Sequence, residues 1–384
     1  MAASKPGAKG LDLEEALRAY FWNAGYFVAR GVPYRLDDED VTDVDLWMYE
    51  RPAATSRRRL ILDAKNKRTP KAAERIIWAK GLQSALGVDG CIVATTDKRP
   101  GAKRLAKALG VILLDGEAVA KIASYEKRTE ARRMRLEDKD TAVRAVDTTR
   151  RTNEWRATLV RARGALISGF GFQSANHNLS AASFFAVQAA QAQPASVPAQ
   201  VAIRALYETS AFAAVSLDYV LADQAFRSAD ERRRAITDGV RFGQAEAGVA
   251  LSTVRAAIGL ARQFADNGPA VARQIEHGFT EAAERIPAEV IGDYVARFAG
   301  TDGLFSAARE LEMASASAEL PSFDALGTQA KSILGVFLDF NGVSRERIAK
   351  AWPGGGNSSA APVPNPDLGT EDLFQPPADK PIGR

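Results

Sequence analysis

The sequence predicts an α/β domain over residues 11–124, a mixed central sheet flanked by helices, followed by an all-α domain over 164–352. Three observations predict this. Between residues 11 and 116, short apolar runs bounded by turn residues alternate with segments of helical period, which is the pattern of a mixed sheet with right-handed crossovers. From Leu179 to Trp352 strand signals are absent, and Ala-rich helical segments follow one another, punctuated by Pro194, Pro198, Gly268, Pro287, Gly303 and Pro321. From Gly354 the chain is rich in Gly, Ser, Pro and Asn, so 353–384 is expected to be a disordered tail.

Taken in order, Leu11 to Val32 reads as a helix with Leu13, Leu17, Tyr20, Phe21 and Trp22 on one face, interrupted at Gly25 and followed by a loop or strand. Val44–Tyr49 and Leu60–Ala64 read as a strand pair joined by a loop of about eight residues that contains Pro52. Lys71–Leu86 is helical by the spacing of Ile76, Ile77, Leu82 and Leu86, and stops at Gly87. Cys91–Thr95 is a strand of the buried type, Gly101–Leu109 a basic helix ending at Gly110, and Val111–Leu114 a last strand closed by Asp115 and Gly116. Residues 125–163 are charged and basic, and read as one or two solvated helices linking the domains. Gly164–Asn178, with several Gly and Asn, reads as a loop.

Composition narrows the chemistry. The 384 residues are 46% hydrophobic and 26% charged, a globular balance with room for two domains. The net charge of +4 is unevenly spread: residues 51–107 hold 15 basic and 4 acidic side chains, and residues 164–364 hold 16 and 20. That local excess of positive charge suits an anionic polymer. Cys91 is the only cysteine and His177 and His277 the only histidines, which excludes an intrachain disulfide, a Cys-rich zinc site and a histidine metal centre. Residues 1–10 are basic and not apolar, and no apolar run reaches the length of a membrane span, so a cytoplasmic protein without a membrane segment is expected. No P-loop follows a strand, so an ATPase motor is not expected.

Asp45, Asp63 and Lys65 carry the chemistry. If the two strands fold back near residue 54, Asp45 lies opposite Asp63; folding near 55 puts it opposite Lys65. In either register the period of two places all three on one face, with Leu60, Leu62 and Ala64 on the other, free to pack on a helix. Two carboxylates and an ammonium on an apolar sheet are costly unless they are compensated. A divalent cation such as Mg2+ (or Mn2+) held by Asp45 and Asp63 compensates them and accepts a substrate phosphate. Lys65 can then orient or deprotonate a water at the ion, or stabilise charge developing on the phosphate. A further carboxylate can come from the first helix. Glu14 and Glu15 face different directions, so at most one serves, with a slight preference for Glu15. Asp43 shares the parity of Asp45 and is an alternative to it, within an acidic stretch running from Asp37 that otherwise reads as a solvated loop.

The stretches Thr42-Asp43-Val44-Asp45-Leu46, Leu60-Ile61-Leu62-Asp63-Ala64-Lys65-Asn66-Lys67, Gly90-Cys91-Ile92-Val93-Ala94-Thr95-Thr96 and Ala106 through Gly116 resemble the PD-(D/E)xK nuclease superfamily. Within it they are most similar to Mrr-like restriction endonucleases and Holliday-junction resolvases. The resemblance covers about residues 11–124. It implies a restriction-endonuclease-like fold, Asp45 and Asp63 as metal ligands, Lys65 as the catalytic lysine, and Glu14 or Glu15 as the helix carboxylate. Asp63 stands where the family often has Glu, and the Pro that names the motif is missing before Asp45.

Basic residues near the motif, Arg57, Arg58, Arg59, Lys67, Arg68, Lys71 and Arg75, are expected to contact DNA phosphates, with Gln83 as a further polar contact. Lys98, Arg99, Lys103, Arg104 and Lys107 can extend that footprint. Trp47 reads as core and Cys91 as an inert buried residue. The resulting expectation is a Mg2+-dependent endodeoxyribonuclease acting in restriction, antiphage defence or DNA repair. Cutting both strands needs two sites, so a homodimer is expected. The competing expectation is a DNA-binding or assembly protein that keeps the fold without the activity. The helical domain and the tail, with its apolar pair Leu373 and Phe374, are left as surfaces for a protein partner.

Overall fold

The computed structural model describes residues 8–36, 39–65, 71–129, 133–245 and 247–352. The chain runs α1 (Ala8–Asn23), β1 (Phe27–Leu36), β2 (Glu39–Ala53), β3 (Ser56–Lys65), α2 (Ala72–Leu86), β4 (Gly90–Thr95), α3 (Pro100–Leu109), β5 (Ile112–Leu114) and α4 (Gly116–Thr129). The remaining helices are α5 (Leu136–Arg150), α6 (Glu154–Gly164), α7 (Phe172–Gln191), α8 (Val197–Ala222), α9 (Ala229–Phe242), α10 (Ala247–Phe264), α11 (Gly268–Glu284), α12 (Ala288–Val295), α13 (Gly303–Ala316), α14 (Thr328–Phe340) and α15 (Arg345–Ala349). The five strands form one mixed sheet in sequence order. β1, β2 and β3 pair antiparallel, and β3, β4 and β5 pair parallel through crossovers carrying α2 and α3. Both crossover helices end on a glycine in the left-handed region, Gly87 and Gly110, as the sequence stop signals require.

Alternation along the strands divides the core. Val28, Leu46, Met48, Leu60, Leu62, Ala64, Ile92 and Ala94 pack on Leu13, Ala16, Leu17 and Phe21 of α1 and on Val119 and Ile122 of α4. The opposite face, with Phe27, Trp47, Tyr49, Ile61, Cys91 and Val93, packs on α2 and α3 and, without a break, on the helical region. Ring pairs cross that junction: Phe27 with Phe212 at 6.2 Å, Trp47 with Phe170 at 5.0 Å and Tyr49 with Phe305 at 5.7 Å. Among the described residues no helix is long and apolar enough to cross a membrane.

Three local expectations are corrected. The strands of the first pair extend to Ala53 and Ser56, so a two-residue turn replaces the loop of eight, and Pro52 lies where the β2–β3 register shifts. α7 starts at Phe172, inside the stretch read as a loop. Ser174 and Asn178 are buried and Asn176 half-buried, and each is paired: Asn178 donates to the Ser174 carbonyl at 3.0 Å, Ser174 meets Ser216 at 3.0 Å, and Asn176 donates to the Val240 carbonyl at 2.9 Å. The described helices of the basic segment, α5 and α6, are not simply solvated. They bury Val143, Val146, Trp155, Leu159 and Ala162 in the common core and turn their charges outward or into ion pairs. The tail beyond Trp352 lies outside the described residues.

Candidate active site

The register of β2 and β3 pairs Leu46 with Leu62 and Trp47 with Ile61. One step further along the same register, Asp45 faces Asp63. The strand pairing stops there, and the Asp45 side chain continues it: Oδ2 accepts the Ala64 N–H at 2.7 Å. Lys65 brings Nζ to 4.0 Å from the same oxygen. Asp63 and Lys65 pair with Val93 and Thr95 of the parallel neighbour β4. The cluster therefore sits at the carboxyl end of the parallel strands, where open α/β sheets gather their ligand sites. Asp45 and Asp63 keep 16% and 13% of their side-chain surface and Lys65 keeps 35%, so the group is recessed but open to water.

The helix carboxylates divide by environment. Glu15 is buried in an arginine cluster, bonded to Arg18 at 2.5 Å and to Arg30 at 2.9 Å, with Arg133 at 3.7 Å. Burial would raise its pKa, but Arg18, Arg133 and Arg30 prevail and hold it below the usual carboxylate range. Glu14 shares Arg30 at 2.9 Å and lies in the field of Asp45. Burial, helped by Asp45, pushes Glu14 above the usual range despite its bond to Arg30. The geometry thus distinguishes the two: Glu15 is enclosed by arginines, while Glu14 shares Arg30 and is within electrostatic range of Asp45. Asp45 itself is raised by burial, against the Ala64 N–H, Lys65, Arg75 and Arg30. Asp43 is exposed on β2.

The basic residues are less concentrated here than their spacing suggests. Arg57, Arg58 and Arg59 lie toward the far end of the hairpin; its tip at Ala53 is eight residues from Asp45, about 26 Å at strand rise. Arg57 is buried there, with Nε 2.7 Å from Asp218 of α8. Arg59 donates to the Gly87 carbonyl at 2.7 Å and lies over the Tyr219 ring at 5.2 Å. Neither is free for phosphate. Arg58 is half-exposed and pairs with Glu50 at 2.9 Å. Lys71 is exposed and pairs with Glu74 at 2.9 Å. Gln83 closes the end of α2, accepting from Lys80 at 3.0 Å and donating to the Val88 carbonyl at 3.4 Å, which is a structural role. Lys67 and Arg68 lie outside the described residues. Farther along, Arg99 is paired with Asp97 and Lys103 with Asp115. Trp47 is fully buried, as expected of a core residue.

One residue of the basic set occupies the site. Arg75 donates from Nε to Oδ2 of Asp63 at 2.8 Å, and a terminal nitrogen closes on Oδ1. The donor set of Asp45, Asp63 and Glu14 is of the oxygen type that a hard divalent cation takes. Among the described residues no three His, Cys, Asp or Glu side chains are grouped to hold a metal, so Glu14 does not join Asp45 and Asp63 as a third ligand in this arrangement. The residues fit Mg2+ in kind, provided that Arg75 yields Asp63.

No family model, curated protein or solved structure matches this chain.

Proposed function

We propose that this protein is a metal-dependent DNA endonuclease whose N-terminal sheet is a restriction-endonuclease-like fold. One observation carries the reading: Asp45 and Asp63 face each other on adjacent strands, with Lys65 4.0 Å from Asp45, at the open carboxyl end of the parallel strands. The strand order, antiparallel through β3 and parallel beyond it, agrees with the reading. Asp45 and Asp63 would hold Mg2+ or Mn2+, with Glu14 in reach of the same field. When bound, the ion supplies Lewis acidity toward the phosphodiester. The Ala64 N–H fixes one Asp45 oxygen and so orients the carboxylate. Lys65 offers its ammonium to the negative charge that builds on the phosphate as the bond breaks. Restriction, antiphage defence or repair suits an endonuclease joined to a helical recognition region, and a dimer would bring two sites to two strands.

The second reading is a DNA-binding or assembly protein that has kept the fold without the activity. The Arg75–Asp63 pair favours it, because the guanidinium takes the oxygens that a metal would need.

Plasmid and branched DNA incubated with the protein in Mg2+ or Mn2+ decide between them. The nuclease reading expects cleavage by wild type and a loss of at least a hundredfold in Asp63→Ala and Lys65→Ala, both still folded by circular dichroism (an order set by electrostatic catalysis, roughly 10² per lost group). Cleavage by the variants at the wild-type rate would remove the assigned site. Binding without any cleavage would favour the second reading.

A further inference from the structure

Arg75 has a fixed base and a partly exposed head. It stands in the first turn of α2, whose inner residues Ala72, Ile76 and Ala79 are buried against the sheet. Its side chain keeps 29% of its surface, and its guanidinium reaches across to β3. There the fork takes both oxygens of Asp63, while Asp45 acts on the same positive charge from the neighbouring strand. Two carboxylates facing each other repel unless a proton or a cation intervenes, and the chain supplies a cation of its own on Asp63. A guanidinium fork matches carboxylate and phosphate equally well. Losing Asp63 to a divalent ion therefore leaves Arg75 at the rim of the site, facing any backbone phosphate that enters.

We propose that Arg75 is a latch on Asp63, displaced when a divalent cation binds, and that the released guanidinium then holds a phosphate oxygen of the substrate. The proposal rests on the nuclease reading. It predicts opposite signs for two measurements on one variant. Removing the latch makes Asp63 more available to metal, and removes a phosphate contact from the reaction.

The test is Mn2+ binding to the full chain without DNA, followed by the electron paramagnetic resonance of the free ion, alongside plasmid cleavage in Mg2+. Arg75→Ala is expected to bind Mn2+ about tenfold more tightly than wild type, the order of one charge-assisted pair at a partly exposed position. It is also expected to cut about tenfold more slowly. Arg75→Lys keeps the charge but loses the fork, and is expected to shift both readouts in the same directions by less. Unchanged Mn2+ affinity in both variants overturns the latch. Tighter binding in Arg75→Ala alone assigns the effect to net charge and also overturns it. Tighter binding with unchanged cleavage overturns the phosphate contact. If Asp63→Ala binds Mn2+ as well as wild type and no form cuts DNA, the nuclease reading falls and the latch with it. Mn2+ binding that appears only when Arg75 is replaced supports the latch. Thermal melts of each variant verify that the fold is retained.

Discussion

Adjacent glutamates on α1 have opposite assignments, and the difference is a matter of which cations surround each. Glu15 is enclosed by Arg18, Arg30 and Arg133, whereas Glu14 shares Arg30 and feels the charge of Asp45. Removing one partner from a buried ion cluster strands the others without compensation, at roughly 3–5 kcal/mol. Glu15→Gln is therefore expected to lower the urea midpoint markedly, in that range of stability. Glu14→Gln is expected to cost less, about 1–3 kcal/mol, because Arg30 keeps Glu15 and Glu137 as partners, and to reduce Mg2+-dependent cleavage. Urea titrations and cleavage assays on the two variants check the pair, and a reversed outcome would reassign the helix carboxylate. The sequence offered both residues and could not choose, because the choice depends on Arg30 and Arg133, which reach α1 only through the tertiary fold.

Elements were legible where their signals were local. The stop glycines of α2 and α3, the buried character of β4, and the alternation that set Asp63 and Lys65 apart from Leu62 and Ala64 could all be read from a few consecutive residues. The strand register was narrowed to two choices by the same alternation, and the register shift between Glu50 and Ala53, beside Pro52, selected the one that opposes Asp45 to Asp63; the two-residue turn alone would have set Asp45 opposite Ala64. What could not be read was burial supplied by distant segments. The start of α7 looked like a loop because Ser174, Asn176 and Asn178 are polar, and their partners lie on α8 and α9 or within α7 itself. α5 and α6 looked solvated because their charges outnumber their apolar residues, yet Trp155 is 1% exposed against Phe184 and Phe185. Trp155→Ala is expected to cost about 3–5 kcal/mol, the usual price of an aromatic cavity. Chemical denaturation checks this, and a loss under 1 kcal/mol would return α6 to the status of a linker.

Across the molecule, ion pairs join the sheet-bearing part to the helices, as Arg30 of β1 to Glu137 of α5 at 2.9 Å, and join the helices to one another. Glu208 of α8 accepts from Arg163 of α6 at 2.8 Å and from Lys139 of α5 at 2.6 Å, and a small cavity of about 30 Å³ separates this group from Glu15, Arg18 and Arg30. Burial alone would raise the Glu208 carboxyl, but Arg163 and Lys139 overcome it and hold the pKa at about 2, against 4.5 for the free group. A carboxyl depressed by folding adds stability above its unfolded value and loses it as the pH falls toward the folded one. Wild type is therefore expected to lose stability between pH 4.5 and about 2. Glu208→Gln is expected to be less stable at pH 7 and to show a shallower loss over that window. Urea midpoints at several pH values test this, and parallel curves for the two proteins would refute it.

The docking of the hairpin tip also bears on synthesis. Tyr49 gives its hydroxyl to Asp218 at 2.6 Å, and Arg51 and Arg57 share that carboxylate. Asp218 follows Arg57 by 161 residues. As the chain leaves the ribosome, β2 and β3 emerge with two arginines whose buried counter-charge has not yet been made. The hairpin tip that joins the strands carrying Asp45 and Asp63 thus meets its counter-charge only after α8 has emerged. A chain that stops short of Asp218 leaves Arg51 and Arg57 without that counter-charge.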